Sequence, residues 1–262
     1  MKKARVCPKC GFSSNTDFSE CPRCSVVVEK YLNFLEKNKE NGKSGDSVSE
    51  RMTPGNTASR WARLAEITVL LRKNIFRVAE DMNPIAFWGR VLLFALLIIW
   101  GIRFMFSSVA SNAAGESFLH LVNLPFHEFG HILFRPFGEL ITSLGGTLGQ
   151  LLMPSICMGA FLIRGDAFAA SVCLWWIGQN FMDIAPYIND ARAGELPLLG
   201  GYTGQTADYG FHDWEYILTE TGLIRYDHSI ALASHAAGII IMLISFAWAG
   251  FLLWKQYRNL DV

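Results

Sequence analysis

Residues 85–106 read IAFWGRVLLFALLIIWGIRFMF, and this run decides the class of fold. About 20 consecutive apolar residues are what an α-helix needs to cross the hydrocarbon core of a bilayer. Its only charges, Arg90 and Arg103, sit near the ends, where long side chains reach back to the interface. Four further apolar segments follow, at 118–134, 140–163, 167–188 and 229–254. The expected fold is mostly α: a polytopic helical membrane protein of about five spans. The third segment is glycine-rich (SLGGTLGQLLMPSICMG, residues 143–159), which predicts a re-entrant element near 140–150.

Composition agrees. Of 262 residues, 51% are hydrophobic and 18% charged, a balance unlike that of soluble enzymes. The formal net charge is zero, so no bulk attraction to nucleic acid is implied. The opening MKKARVCPKC has a basic start and no apolar h-region, so no secretory signal is expected and the amino terminus is placed in the cytosol.

The polar part, residues 1–83, divides into three. Cys7, Cys10, Cys21 and Cys24, in CPKCGFSSNTDFSECPRC, form two C-x-x-C pairs. Four thiolates at that spacing close a tetrahedral structural Zn2+ site, which so small a module needs in order to fold. A zinc ribbon with a short helix is assigned to 1–38. Residues 39–59 have linker composition. Residues 60–83 place Trp61, Leu64, Ile67, Leu71, Ile75 and Val78 at helical spacing with arginines largely opposite, which predicts an amphipathic helix in the membrane interface. Residues 84–262 form the membrane domain.

The second apolar segment contains LPFHEFGHI, residues 124–132. On a helix, His127 and His131 stand one above the other and present two imidazoles to one metal ion. Glu128 is one step round, placed to take a proton from a water without ligating the ion. Ionisable groups within a span are costly, roughly 2.5–3.5 kcal/mol each at its centre when charged, and are functional by default.

A catalytic zinc takes three protein ligands. On the fourth segment Gln179, Asp183, Pro186 and Asp190 form one polar stripe, and Asp183 ranks first as third ligand. Asp190 and His212 are the alternatives. Asp213, beside His212, is assigned instead as the N-cap of a short helix ending near Gly222. Asn180 and Gln150 are amides at membrane depth, able to bind substrate or to join helices. Gly145 and Gly146 either support an extended edge that holds substrate or let helices pack closely.

HEFGH on a span, the GG that follows, and NFMDIAPYIND on a later span (residues 180–190) together resemble the site-2-protease class of intramembrane zinc metallopeptidases. The likeness covers segments two to four. It implies that His127 and His131 bind zinc and that Glu128 is the general base. In that class an Asp shortly after Asn and Pro, followed by Gly, supplies the third ligand. Here Asp183 precedes Pro186 and Asp190 is followed by Ala191, so the third ligand stays open.

The expected function is hydrolysis of peptide bonds in or near membrane segments of a partner protein. The expected surroundings are the lipid bilayer, with a cytosolic partner for the ribbon. The alternatives are a non-proteolytic scaffold or assembly factor with structural zinc, and a metal-handling transporter. The basic cluster 60–90 places the amino terminus in the cytosol, in a bacterial inner membrane. Five crossings then put the carboxyl terminus outside, against which Lys255 and Arg258 argue, and put the H-E-x-x-H near the cytosolic face.

Overall fold

A computed structural model describes residues 4–8, 11–19, 21–23, 28, 29, 32, 66, 69, 71, 73–78 and 83–260. They fall in two compact units, Met1–Glu66 and Ile67–Val262. In the first, strands β1 (Ala4–Val6) and β2 (Ser13–Phe18) pair antiparallel, with Ala4 opposite Phe18 and Val6 opposite Ser13. The turn between them is held by the Cys7 amide on the Phe12 carbonyl and the Gly11 amide on the Cys7 carbonyl, at 2.8 and 3.0 Å. Gly11 has φ +72°, which glycine adopts without strain. Cys7 and Cys21 are buried. Cys10 and Cys24 lie outside the described residues, as do the linker 39–59 and most of the expected interfacial helix 60–83.

Among the described residues the second unit contains six α-helices. Asn83 caps the first by accepting from the Ile85 amide at 2.9 Å, with Pro84 in the first turn where its missing N–H costs nothing. We number them α1 (Pro84–Phe106), α2 (Phe118–Phe134), α3 (Glu139–Arg164), α4 (Ala167–Asn189), α5 (Asp213–Glu220) and α6 (Asp227–Leu260). Gly165, left-handed at φ +79°, ends α3, and Asp166 caps α4 by accepting from the Ala169 amide. So short a turn folds α4 back against α3.

Three apolar clusters set the directions. Phe87 early in α1, Ala167 and Phe168 opening α4, and Leu252 and Leu253 late in α6 bury one another. Phe104 near the end of α1 meets Trp175 and Met182 of α4 and Met242 of α6. Ile184 and Ile188 late in α4 meet Leu218 of α5 and Ala231 early in α6. Thus α1 and α4 run one way and α6 the other. At the end where α1 begins, the Asn74 amide donates to the Leu162 carbonyl of α3, Trp248 to the Ile75 carbonyl, and Lys255 to the Phe76 carbonyl. We call this the entry end. At the other end Tyr216 of α5 donates to Glu139, the first residue of α3, at 3.2 Å.

The helix carrying the histidines behaves differently from the expected second span. The chain leaves α1 at the far end, passes through residues 107–117, forms α2, and enters α3 through Arg135–Phe137 at that same end. α2 therefore makes no net crossing of the bundle. With 17 residues it is about 25 Å long. Among the described residues, three helices are long and apolar enough to cross a membrane: α1, α3, and Ile224–Leu260, which contains α6. The expected re-entrant element at 140–150 is instead continuous helix inside α3; the returning element is α2. The glycines explain the difference. A Cβ on Gly130 would overlap the Gly145 carbonyl, and one on Gly149 the Phe126 carbonyl. They serve a close backbone crossing of α2 over α3, not a break in α3.

Candidate metal centre

One face of α2 carries His120, Asn123, His127 and His131, at i, i+3, i+7 and i+11. It looks into a cavity of about 690 Å3, bounded on other sides by α3, by Asp183 and Tyr187 of α4, by loop residues 196–199, Gly210 and Phe211, and by Asp213 of α5. Ligand atoms of His127, Glu128 and His131 all lie within 4.8 Å of one another, close enough to share one metal ion. The two imidazoles are 4.8 Å apart between centroids and inclined at 77°.

Each ring is held by its other nitrogen. His127 Nδ1 is 2.8 Å from the Gln150 side-chain oxygen, and His131 Nδ1 is 2.8 Å from the Thr142 carbonyl oxygen. Both partners are acceptors, so each Nδ1 carries the proton and donates it. That orientation leaves the two Nε2 atoms as the ligand face. Gln150 is itself fixed by donating to Asn180 Oδ1 at 3.1 Å, and Asn180 donates to the Trp176 carbonyl. The two amides predicted at membrane depth thus join helices and orient the His127 imidazole.

The third group is Asp213. Its Oδ2 lies 3.0 Å from His127 Nε2 and 3.3 Å from His131 Nε2. Ligand atoms 2.0–2.2 Å from a tetrahedral zinc are about 3.4 Å apart, and both distances from Asp213 are close to that spacing. Burial works against ionisation of Asp213, but the two imidazoles outweigh it and hold the carboxyl below the usual carboxylate range. Tyr187 accepts from the Asp213 amide at 3.0 Å and so ties the start of α5 to α4. Gly146 faces the two Nε2 atoms: a Cβ there would collide with the His127 ring and lie 2.6 Å from His131 Nε2.

Asp183, ranked first from the sequence, faces elsewhere. One of its oxygens is 3.0 Å from His120 Nδ1, and the other accepts from Asn123 at 2.9 Å. Asp190 accepts from the amides of Glu195 and Leu196, both at 2.9 Å, and so shapes the loop. His212, not Asp213, caps α5 by accepting from the Glu215 amide at 3.1 Å. Its ring lies 4.2 Å from that of Tyr187, and burial pushes its pKa below the ordinary value despite the nearby Asp190 and Asp213 carboxylates. Of the glycines, Gly145 belongs to the α2–α3 crossing and Gly146 to the imidazoles; neither lies in an extended strand. Thr142, Tyr187, Asn123 and His120 were not singled out from sequence. For the last two, the helical spacing back from His127 is the available signal.

No protein-family model, curated protein or solved structure matches this chain.

Proposed function

We propose that this chain is an integral membrane zinc metallopeptidase that hydrolyses peptide bonds in or near membrane segments of partner proteins. One observation carries the reading: an Asp213 oxygen of α5 lies at zinc-ligand spacing from the Nε2 atoms of both α2 imidazoles, beside a cavity and with Glu128 adjacent. Three protein ligands and one open position are what distinguish a catalytic zinc from a closed structural one.

His127, His131 and Asp213 would hold the ion. Zinc bound there supplies Lewis acidity, polarising a substrate carbonyl and making water acidic enough to attack at neutral pH. Glu128 takes the proton of the attacking water and returns it to the leaving amine. Gln150 and Thr142 keep the imidazoles turned toward the ion. The four cysteines of the expected ribbon would hold a second, structural zinc, and that module offers a surface to a cytosolic partner.

The test is metal content and proteolysis of purified protein, wild type against Glu128→Gln and His127→Ala. Glu128→Gln should keep its zinc and lose cleavage of membrane-anchored reporters. His127→Ala should lose one zinc equivalent as well as activity. Equal proteolysis by Glu128→Gln and wild type would refute the assignment.

A further inference from the structure

The site-bearing cavity lies at one end of the bundle and the chain enters at the other. Residues 73–78 are bound to Leu162, Trp248 and Lys255, all at the entry end. The cavity is lined by residues that follow α1 (Asn112, Glu116), by the α4–α5 loop and by Asp213. These all belong to the opposite end, where α4 finishes and α6 starts. α4 runs through all three apolar clusters, parallel to α1 and antiparallel to α6. We count it as a fourth crossing beside the three apolar spans, and the two ends of the bundle then face different compartments.

Basic residues say which compartment is which. Among the described residues the entry end carries Lys73, Arg77, Arg90, Arg164, Lys255 and Arg258, and Arg72 precedes them in the sequence. The cavity end carries Arg103, Arg135, Arg192 and Arg225. Arg192 is committed to Asp227, with 2.7 Å between guanidinium and carboxylate. Arginine and lysine flanking short connections stay on the cytosolic side. Four crossings also bring Lys255 and Arg258 to that side, which five crossings do not.

We infer that the metal cavity opens on the non-cytosolic face of the membrane and that its substrates are the outer juxtamembrane segments of membrane-anchored proteins. This rests on the peptidase reading for the word substrate, but the orientation stands independently of it. The rim favours such a segment. Leu199 and Phe211 line the cavity yet are about half exposed, and Tyr202 packs edge-on against Phe211 at 5.9 Å. An apolar and aromatic rim beside a polar, metal-binding floor suits a chain just leaving the bilayer.

The test uses the full chain in sealed right-side-out vesicles and a membrane-impermeant maleimide. Glu220→Cys at the cavity end should label in sealed vesicles above the background of the unsubstituted chain. Arg258→Cys should label only after detergent opens them. The reverse pattern overturns the inference. In the same vesicles, single-span reporters carry one flexible cleavable tract, placed either outside or inside. Loss of the outer-tract reporter alone, dependent on Glu128, supports the inference, and loss of the inner-tract reporter alone overturns it. If labelling follows the expected pattern and neither reporter is cut, the orientation holds and the peptidase reading fails.

Discussion

Gly146→Ala adds one methyl group to α3 and should remove zinc from the centre while leaving the fold intact. The new carbon would sit 2.6 Å from His131 Nε2 and closer still to the His127 ring. Carbon and nitrogen in ordinary contact are about 3.5 Å apart. One or both imidazoles must therefore retreat by about 0.9 Å, against a tolerance of about 0.2 Å in metal–ligand distance. Removing a hydrogen bond that only orients a ligand lowers metal affinity about 10- to 100-fold. Displacing two ligands at once should cost at least the upper figure. Helix propensity works the other way, since alanine favours a helix interior over glycine by about 1 kcal/mol. Gly159→Ala, on the same helix with nothing within 4 Å of its Cβ, is the control for that term. The assay is zinc affinity by chelator competition, alongside thermal unfolding in detergent with chelator present. Gly159→Ala should bind zinc as wild type does. Gly146→Ala should remain folded when metal-free, the helix-propensity gain offsetting part of the cost of moving the rings, yet be at least about a hundredfold weaker in zinc binding. Wild-type affinity in Gly146→Ala would show that the imidazoles do not point where the structure puts them.

Two further substitutions separate neighbouring roles. Gln150→Leu removes the acceptor of the His127 Nδ1 proton and should lower zinc affinity about 10- to 100-fold without abolishing binding, read by the same competition. Asp213→Asn should weaken zinc binding strongly, whereas Asp183→Asn should leave affinity near wild type, because Asp183 is engaged by His120 and Asn123. A larger loss from Asp183→Asn would restore it as the ligand.

Much of this protein is legible one residue at a time. Apolar runs long enough for a bilayer show at 85–106 and 229–254 because a span needs contiguous apolar side chains whatever surrounds it. His127, Glu128 and His131 are local in the same sense, since one turn of one helix brings them together. Asp213 is not local: it lies 86 positions from His127, in a polar loop where carboxylates commonly cap helices. Only the docking of α5 on α3, and the Tyr187 contact from α4, bring it between the imidazoles.

The same division holds for the path of the chain. Hydropathy recognised 118–134 as apolar, but apolar length carries no information about whether a helix crosses a bundle or returns to its starting end. That was decided by glycines 130, 145 and 149, which let α2 lie against α3, and by the contacts that leave the end of α1 beside α4 and the start of α3 beside α5, at one end of the bundle. Local chemistry was written in the sequence because it depends on neighbours three and four residues away. Which carboxylate meets the two imidazoles, and the end of the bundle at which the cavity opens, depend on which distant backbones can touch, and the tertiary structure alone decides that.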